Sequence, residues 1–209
     1  MSVSARSIAH DGWALVRDPG FIGYTGVAAF FNCTFFTFVG GAPHVVVTVM
    51  GLSAKTYGLW FALIAFGYMI GNAISGRFSQ RFGIDRMLRF GVLLGLVGAI
   101  LQFALMALNM INTPFGLFLP QAIIAVGNGL VLPSAYAGAV SVNPRIAGSA
   151  SGLTGSVQML LAAIMSQFSG MAVGYTLSGS PMIIMISVEA ILAFLTYLYL
   201  RRYLASVAA

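Results

Sequence analysis

Residues 21–42 read FIGYTGVAAFFNCTFFTFVGGA, and nothing between Asp18 and Lys55 carries a formal charge. A helix rising 1.5 Å per residue needs about 20 residues to cross a hydrocarbon core of about 30 Å. The stretch is therefore long enough to span a membrane, closing at Gly40-Gly41-Ala42-Pro43. A closed β-barrel is the other way to satisfy every backbone group in lipid, but its strands alternate in polarity over about ten residues. Here the apolar run is continuous, so the helical reading holds.

The same reading extends along the chain. Lys55 and Arg77 bound a second helix at about 56–76. A third covers about 88–109 and ends at Asn-Met-Ile-Asn-Thr-Pro (109–114). A fourth covers about 115–140, with a break or kink expected near Pro133, since proline lacks a backbone donor and crowds the preceding turn. A fifth runs over about 147–174, and the turn Ser178-Gly179-Ser180-Pro181 leads into a sixth at about 181–200. The expected architecture is an all-α membrane protein with an N-terminal segment (1–20), a six-helix bundle (21–201) and a short tail (202–209).

Composition agrees. Of 209 residues, 59% are hydrophobic and 7% charged, against roughly 25% charged in a soluble domain. Ten basic and four acidic side chains are too few to face water around a particle of this size, and the mean hydropathy is +0.96. The net charge of +6 does not point to nucleic acid, because the arginines flank the apolar runs instead of sharing one polar face. Lipid is the expected surroundings. Arg6, Arg17, Arg77, Arg81, Arg86, Arg89, Arg145, Arg201 and Arg202 all fall at one side of the expected bundle and Lys55 alone at the other. That asymmetry places both termini in the cytoplasm. Cys33 is the only cysteine, so no intrachain disulfide can form. Residues 1–20 lack the apolar core of a cleavable signal.

Small residues recur every fourth position: Gly67, Gly71 and Ser75; Gly91 and Gly95; Ala147, Ser151 and Gly155 beside Gly148, Gly152 and Ser156. In lipid such stripes let helix backbones approach closely and supply cohesion. They would also serve as smooth sliding surfaces.

The segment after the second helix reads Gly76-Arg77-Phe78-Ser79-Gln80-Arg81-Phe82-Gly83-Ile84-Asp85-Arg86. It resembles the G-x-L-A-D-R-x-G-R-K/R signature of the major facilitator superfamily, with Gly76, Arg81 and Gly83 in place, Gln80 where the acid stands, and Arg77 and Arg86 as further basic residues of the same loop. Residues 127–166, GNGLVLPSAYAGAVSVNPRIAGSASGLTGSVQMLLAAIMS, are similar to the second half of the Bcr/CflA drug-efflux branch. The matching positions are Gly129, Pro133 and Ala137, then Ala147, Gly148, Ala150 to Leu153, Gly155 and Gln158. Phe21 to Tyr24, Gly51 to Ser53 and Tyr57 to Leu59 add to the likeness. The resemblance implies the C-terminal six-helix half of a twelve-helix, multi-pass transporter of the bacterial inner membrane. Residues 1–20 would then be the end of the central loop. The implied activity is proton-coupled efflux of small amphipathic drugs; the alternatives are a truncated or split-gene fragment inactive alone and a non-transporting membrane interaction protein. The implied partner is a second six-helix half, as a separate chain or in a homodimer.

The family's cavity is lined by helices one, two, four and five, which directs attention to polar groups on those helices. Asn32 lies mid-membrane with Phe35, Phe36 and Val39 on its face; Gln121, Asn128 and Tyr136 share a side of helix four; Gln158 sits near mid-depth of helix five. All are candidate substrate contacts, or the polar glue of the bundle. Gln167, nine residues beyond Gln158, belongs to the opposite face. Glu189 is the one acid well inside an expected helix, and a carboxyl able to hold a proton in hydrocarbon suits coupling. The sixth helix lies outside the family's cavity, which favours a structural role or a contact with a partner. His10 and His44 are isolated from other metal-binding groups. The glycine-rich runs lack the lysine of a phosphate-binding loop, and no nucleophile stands beside a base. No metal, cofactor or enzymatic activity is expected.

Overall fold

The computed structural model describes residues 12–208; Arg6 and His10 lie outside them. Among the described residues, six helices are each long and apolar enough to cross a membrane. They are α1 (Pro19–His44), α2 (Ala54–Phe82), α3 (Ile84–Ala107), α4 (Pro114–Val142), α5 (Ala147–Thr176) and α6 (Ser180–Ala208). Their starts are set by local chemistry. Asp18 accepts from the Phe21 N–H at 3.0 Å ahead of Pro19, Ser53 from the Thr56 N–H at 3.2 Å, and Thr113 from the Gly116 N–H at 3.1 Å ahead of Pro114. Each cap satisfies a donor that the first turn leaves without a partner.

Several boundaries differ from the sequence reading. The Gly40-Gly41 pair does not end α1, which passes straight through and continues as a π-helical turn over Val45–Val49. The pair instead makes room: a Cβ on Gly40 would strike the Ser166 backbone of α5, and one on Gly41 would lie 2.6 Å from the Ser169 hydroxyl. α2 likewise continues through Gly76 to Phe82, and only Gly83, at φ +83°, makes the turn into α3. α4 stays helical through both Pro120 and Pro133.

The helices run alternately up and down. One end gathers the start of α1 with the ends of α4 and α6, since Gly20 lies against Val142 and Tyr203. Tyr24 Oη donates to Asp85 Oδ1 at 3.1 Å and draws the start of α3 to the same end. Gly179 lies against Val45 and Ile111 at the other. α1 and α4 are the central pair, burying 67% and 72% of their spans, whereas α2 and α5 bury only 22% each. α4 packs on α2, α3 and α1; α1 packs on α5 and α6.

Two glycine pairs bring α4 against its neighbours. A Cβ on Gly71 would lie 2.9 Å from the Gly129 Cα, and one on Gly129 would lie 2.6 Å from the Asn72 nitrogen. Gly91 and Gly127 form the same arrangement with α3: a Cβ on either would lie within 2.8 Å of the other's carbonyl oxygen. Gly148 and Gly152 on α5 face open space, with nothing within 4 Å. The stripes on α2 and α3 therefore hold the bundle together, and this part of the α5 stripe does not. Gly71→Leu should lower the unfolding temperature of the purified chain in detergent, at an overpacking cost of roughly 1–3 kcal/mol, while Gly152→Leu should leave it unchanged. Equal melting of parent and Gly71→Leu would contradict this packing.

Candidate functional site

A cavity of about 550 Å³ lies between α1, α2, α4 and α5. α1 supplies Asn32, Phe35 and Phe36, at the three- and four-residue spacing that puts side chains on one helix face. α4 supplies Asn128, Leu132, Pro133 and Tyr136, a ladder along one side. Tyr68 comes from α2, and Gln158 with Met159 from α5. Phe35 and Phe36 meet edge to face with centroids 5.4 Å apart.

The walls are apolar and aromatic, but three amides are set into them. Asn32, Asn128 and Gln158 are 5%, 2% and 2% exposed. Asn32 Nδ2, Asn128 Oδ1 and Gln158 Nε2 find no hydrogen-bond partner in the protein. Tyr136 Oη lies 3.5 Å from Gln158 Oε1. A buried polar atom left unpaired costs roughly 1–3 kcal/mol, and each of these three cavity-lining residues keeps one such atom, two donors and one acceptor in all. An apolar pocket with a few convergent polar groups is the usual form of a small-molecule site.

Gln121 is separated from the others. It is fully buried between α4 and α1, and its Nε2 donates to the Thr34 carbonyl at 3.3 Å. The shared side of α4 that groups it with Asn128 and Tyr136 does not bring it to the cavity, because α1 leans on α4 there and Phe38 meets Phe118 edge to face at 5.4 Å. Gln167 is exposed on α5. Tyr68 and Met159 are cavity residues that the sequence reading passed over. Tyr68 left one signal, since Asn72 one turn later binds its carbonyl and marks a polar spot on an apolar helix.

Glu189 lies across α1 from this cavity. It is 4% exposed, and its Oε1 accepts from Thr37 Oγ1 at 2.6 Å while Oε2 has no partner. It lines a smaller apolar cavity of about 220 Å³ with Phe30 and Cys33 of α1 and Met165 of α5. Four direct hydrogen-bonded contacts tie α1 to other helices: Tyr24 to Asp85, Thr25 to Thr154, Thr34 to Gln121 and Thr37 to Glu189. In the signature segment Arg77, Gln80, Arg81 and Arg86 are exposed. The acid that joins two helices there is Asp85. No group of three or more metal-ligating side chains occurs among the described residues.

Comparison with known proteins places these features. The sequence profile of the Major Facilitator Superfamily matches residues 6–206. The chain is 28% identical over 158 residues to an uncharacterized MFS-type transporter, YdgK, of Bacillus subtilis, covering 75% of this chain and 39% of that protein. It is 26% identical over 151 residues to multidrug resistance protein D of Escherichia coli, covering 68% and 38%. It is also 26% identical over 200 residues to a bicyclomycin resistance protein homolog of Haemophilus influenzae, covering 92% and 48%. It thus spans less than half the length of each of these relatives. A match over nearly the whole chain, on six membrane-spanning helices, makes this chain a member of the Major Facilitator Superfamily.

Proposed function

We propose that this chain forms one six-helix half of a proton-coupled exporter of small amphipathic drugs, of the Bcr/CflA type, in the inner membrane of a bacterial cell. The observation that carries the proposal is the aromatic cavity lined by three buried amides, each with one unpaired polar atom. Such a surface suits molecules that are mostly apolar with a few polar atoms, since apolar contact supplies affinity and the amides select orientation. The names of two relatives, a multidrug resistance protein and a bicyclomycin resistance protein homolog, support the same substrate class.

A second six-helix unit covers the cavity in this account. α2 and α5, which flank the cavity, are the two least buried helices. The bare glycines of α5 leave a smooth surface for a neighbour, and the relatives are more than twice as long as the stretch they share with this chain. The covering unit is another part of a longer protein, a separate chain or a second copy.

Glu189 is the proposed proton-coupling acid. It acts through Thr37 and α1, whose other face carries Asn32, Phe35 and Phe36, and does not touch the substrate.

Accumulation of an amphipathic dye in an efflux-deficient bacterium, with membrane insertion of the chain verified, tests this reading. Reduced accumulation that an uncoupler abolishes is expected where the covering unit is present. Unchanged accumulation with every covering unit supplied would make the protein a non-transporting membrane component. Asn128→Leu should weaken dye binding about tenfold, the equivalent of one hydrogen bond of about 1.4 kcal/mol. Glu189→Gln should keep dye binding and lose the dependence of export on the proton gradient; unaltered coupling in that variant would remove Glu189 from the mechanism.

A further inference from the structure

At the arginine-rich end of the bundle, α3 and α6 part around a pocket of about 260 Å³, far from the amide-lined cavity. Three arginines line it: Arg86 and Arg89 near the start of α3, and Arg201 toward the end of α6. Leu88, Leu200 and Leu204 give it an apolar wall, and Tyr197 is buried at its side. One acid, Asp85, also lines it, and its Oδ1 already accepts from Tyr24 Oη. Three positive charges against one negative leave a formal charge of +2 in the pocket. The other acids among the described residues are engaged elsewhere: Asp18 caps α1, and Glu189 is bound to Thr37.

A bias of basic residues toward the cytoplasm requires only that arginines reach water on that side. It does not require three of them, from two helices, to surround one pocket with an apolar wall. Guanidinium groups recognise phosphate oxygens through paired hydrogen bonds, and basic pockets between helix ends at a membrane surface receive anionic head groups. Leucines beside the cations would meet the first methylenes of an acyl chain.

We propose that the pocket formed by Arg86, Arg89 and Arg201 binds a phosphate group, supplied by the head group of an anionic membrane lipid. The bound phosphate bridges α3 to α6 at the membrane surface and stabilises the bundle there.

The test uses the purified full chain in neutral detergent, with native mass spectrometry and thermal unfolding read together. Added phosphatidylglycerol should remain bound and raise the unfolding temperature, while phosphatidylcholine should do neither. The triple variant Arg86→Gln, Arg89→Gln, Arg201→Gln should lose phosphatidylglycerol binding by about tenfold or more. Arg145→Gln, in another loop of the same end, should bind as the parent does. Should the triple variant fold poorly, Arg201→Gln alone, at an exposed helix end, should still show weakened binding. Glycerol 3-phosphate binding as tightly as the lipid, and lost in the same variants, would support the phosphate site with a soluble source. Equal binding of the two lipids by the parent, or undiminished phosphatidylglycerol binding by a well-folded arginine variant, would overturn the proposal.

Discussion

The close approach of α4 to α2 and α3 underlies the rest of the structure. Lipid tails are as apolar as leucine, so helices in a bilayer gain little by hiding apolar surface from one another. What holds them is contact at short range, and Gly71 with Gly129 and Gly91 with Gly127 let backbones meet where a side chain would intervene. α4 is fixed on two sides by these pairs. Its remaining side carries Asn128 and Tyr136 toward the cavity and Gln121 toward α1. The glycines thus determine which face of α4 is left for function.

α1 is the second constraint. It is buried along most of its span and hydrogen-bonded to α3, α4, α5 and α6. Asn32, Phe35 and Phe36 look into the cavity, while Cys33 and Thr37, on another face, meet the region of Glu189. A shift of α1 would be felt at both places. That geometry is why an acid outside the cavity is still a reasonable coupling group in the proposed mechanism.

Much of this was legible in the sequence because lipid imposes a simple rule. A span must be apolar for about 20 residues, so six long apolar runs give six helices. Helix ends were harder to read, since glycine is ambiguous. Gly40 and Gly41 resemble a stop but serve contact with α5 and α6, and Gly76 sits mid-helix while Gly83 turns. The candidate site was partly legible. Polar residues in apolar helices stand out, periodicity assigns a face, and the family resemblance implies which helices line the cavity; together these brought Asn32, Asn128, Tyr136 and Gln158 into view. Periodicity does not say which neighbour a face meets at a given depth, so Gln121 was grouped with the cavity although α1 covers it. Nor does a small-residue stripe show from sequence whether it is used within the chain, as on α2, or left bare, as on α5.

The account depends on the cavity face looking onto protein and not onto lipid. Oxygen accessibility of a nitroxide label, measured in native membranes, tests this most directly. In a Cys33→Ser background, Gly152→Cys places the label on the bare stripe of α5, and Leu195→Cys places it on an exposed position of α6. The account predicts that the label at 152 is immobilised and shielded from lipid-dissolved oxygen while the label at 195 is freely accessible. Equal oxygen accessibility at the two positions would mean that α5 faces the bilayer, and would contradict a covered cavity.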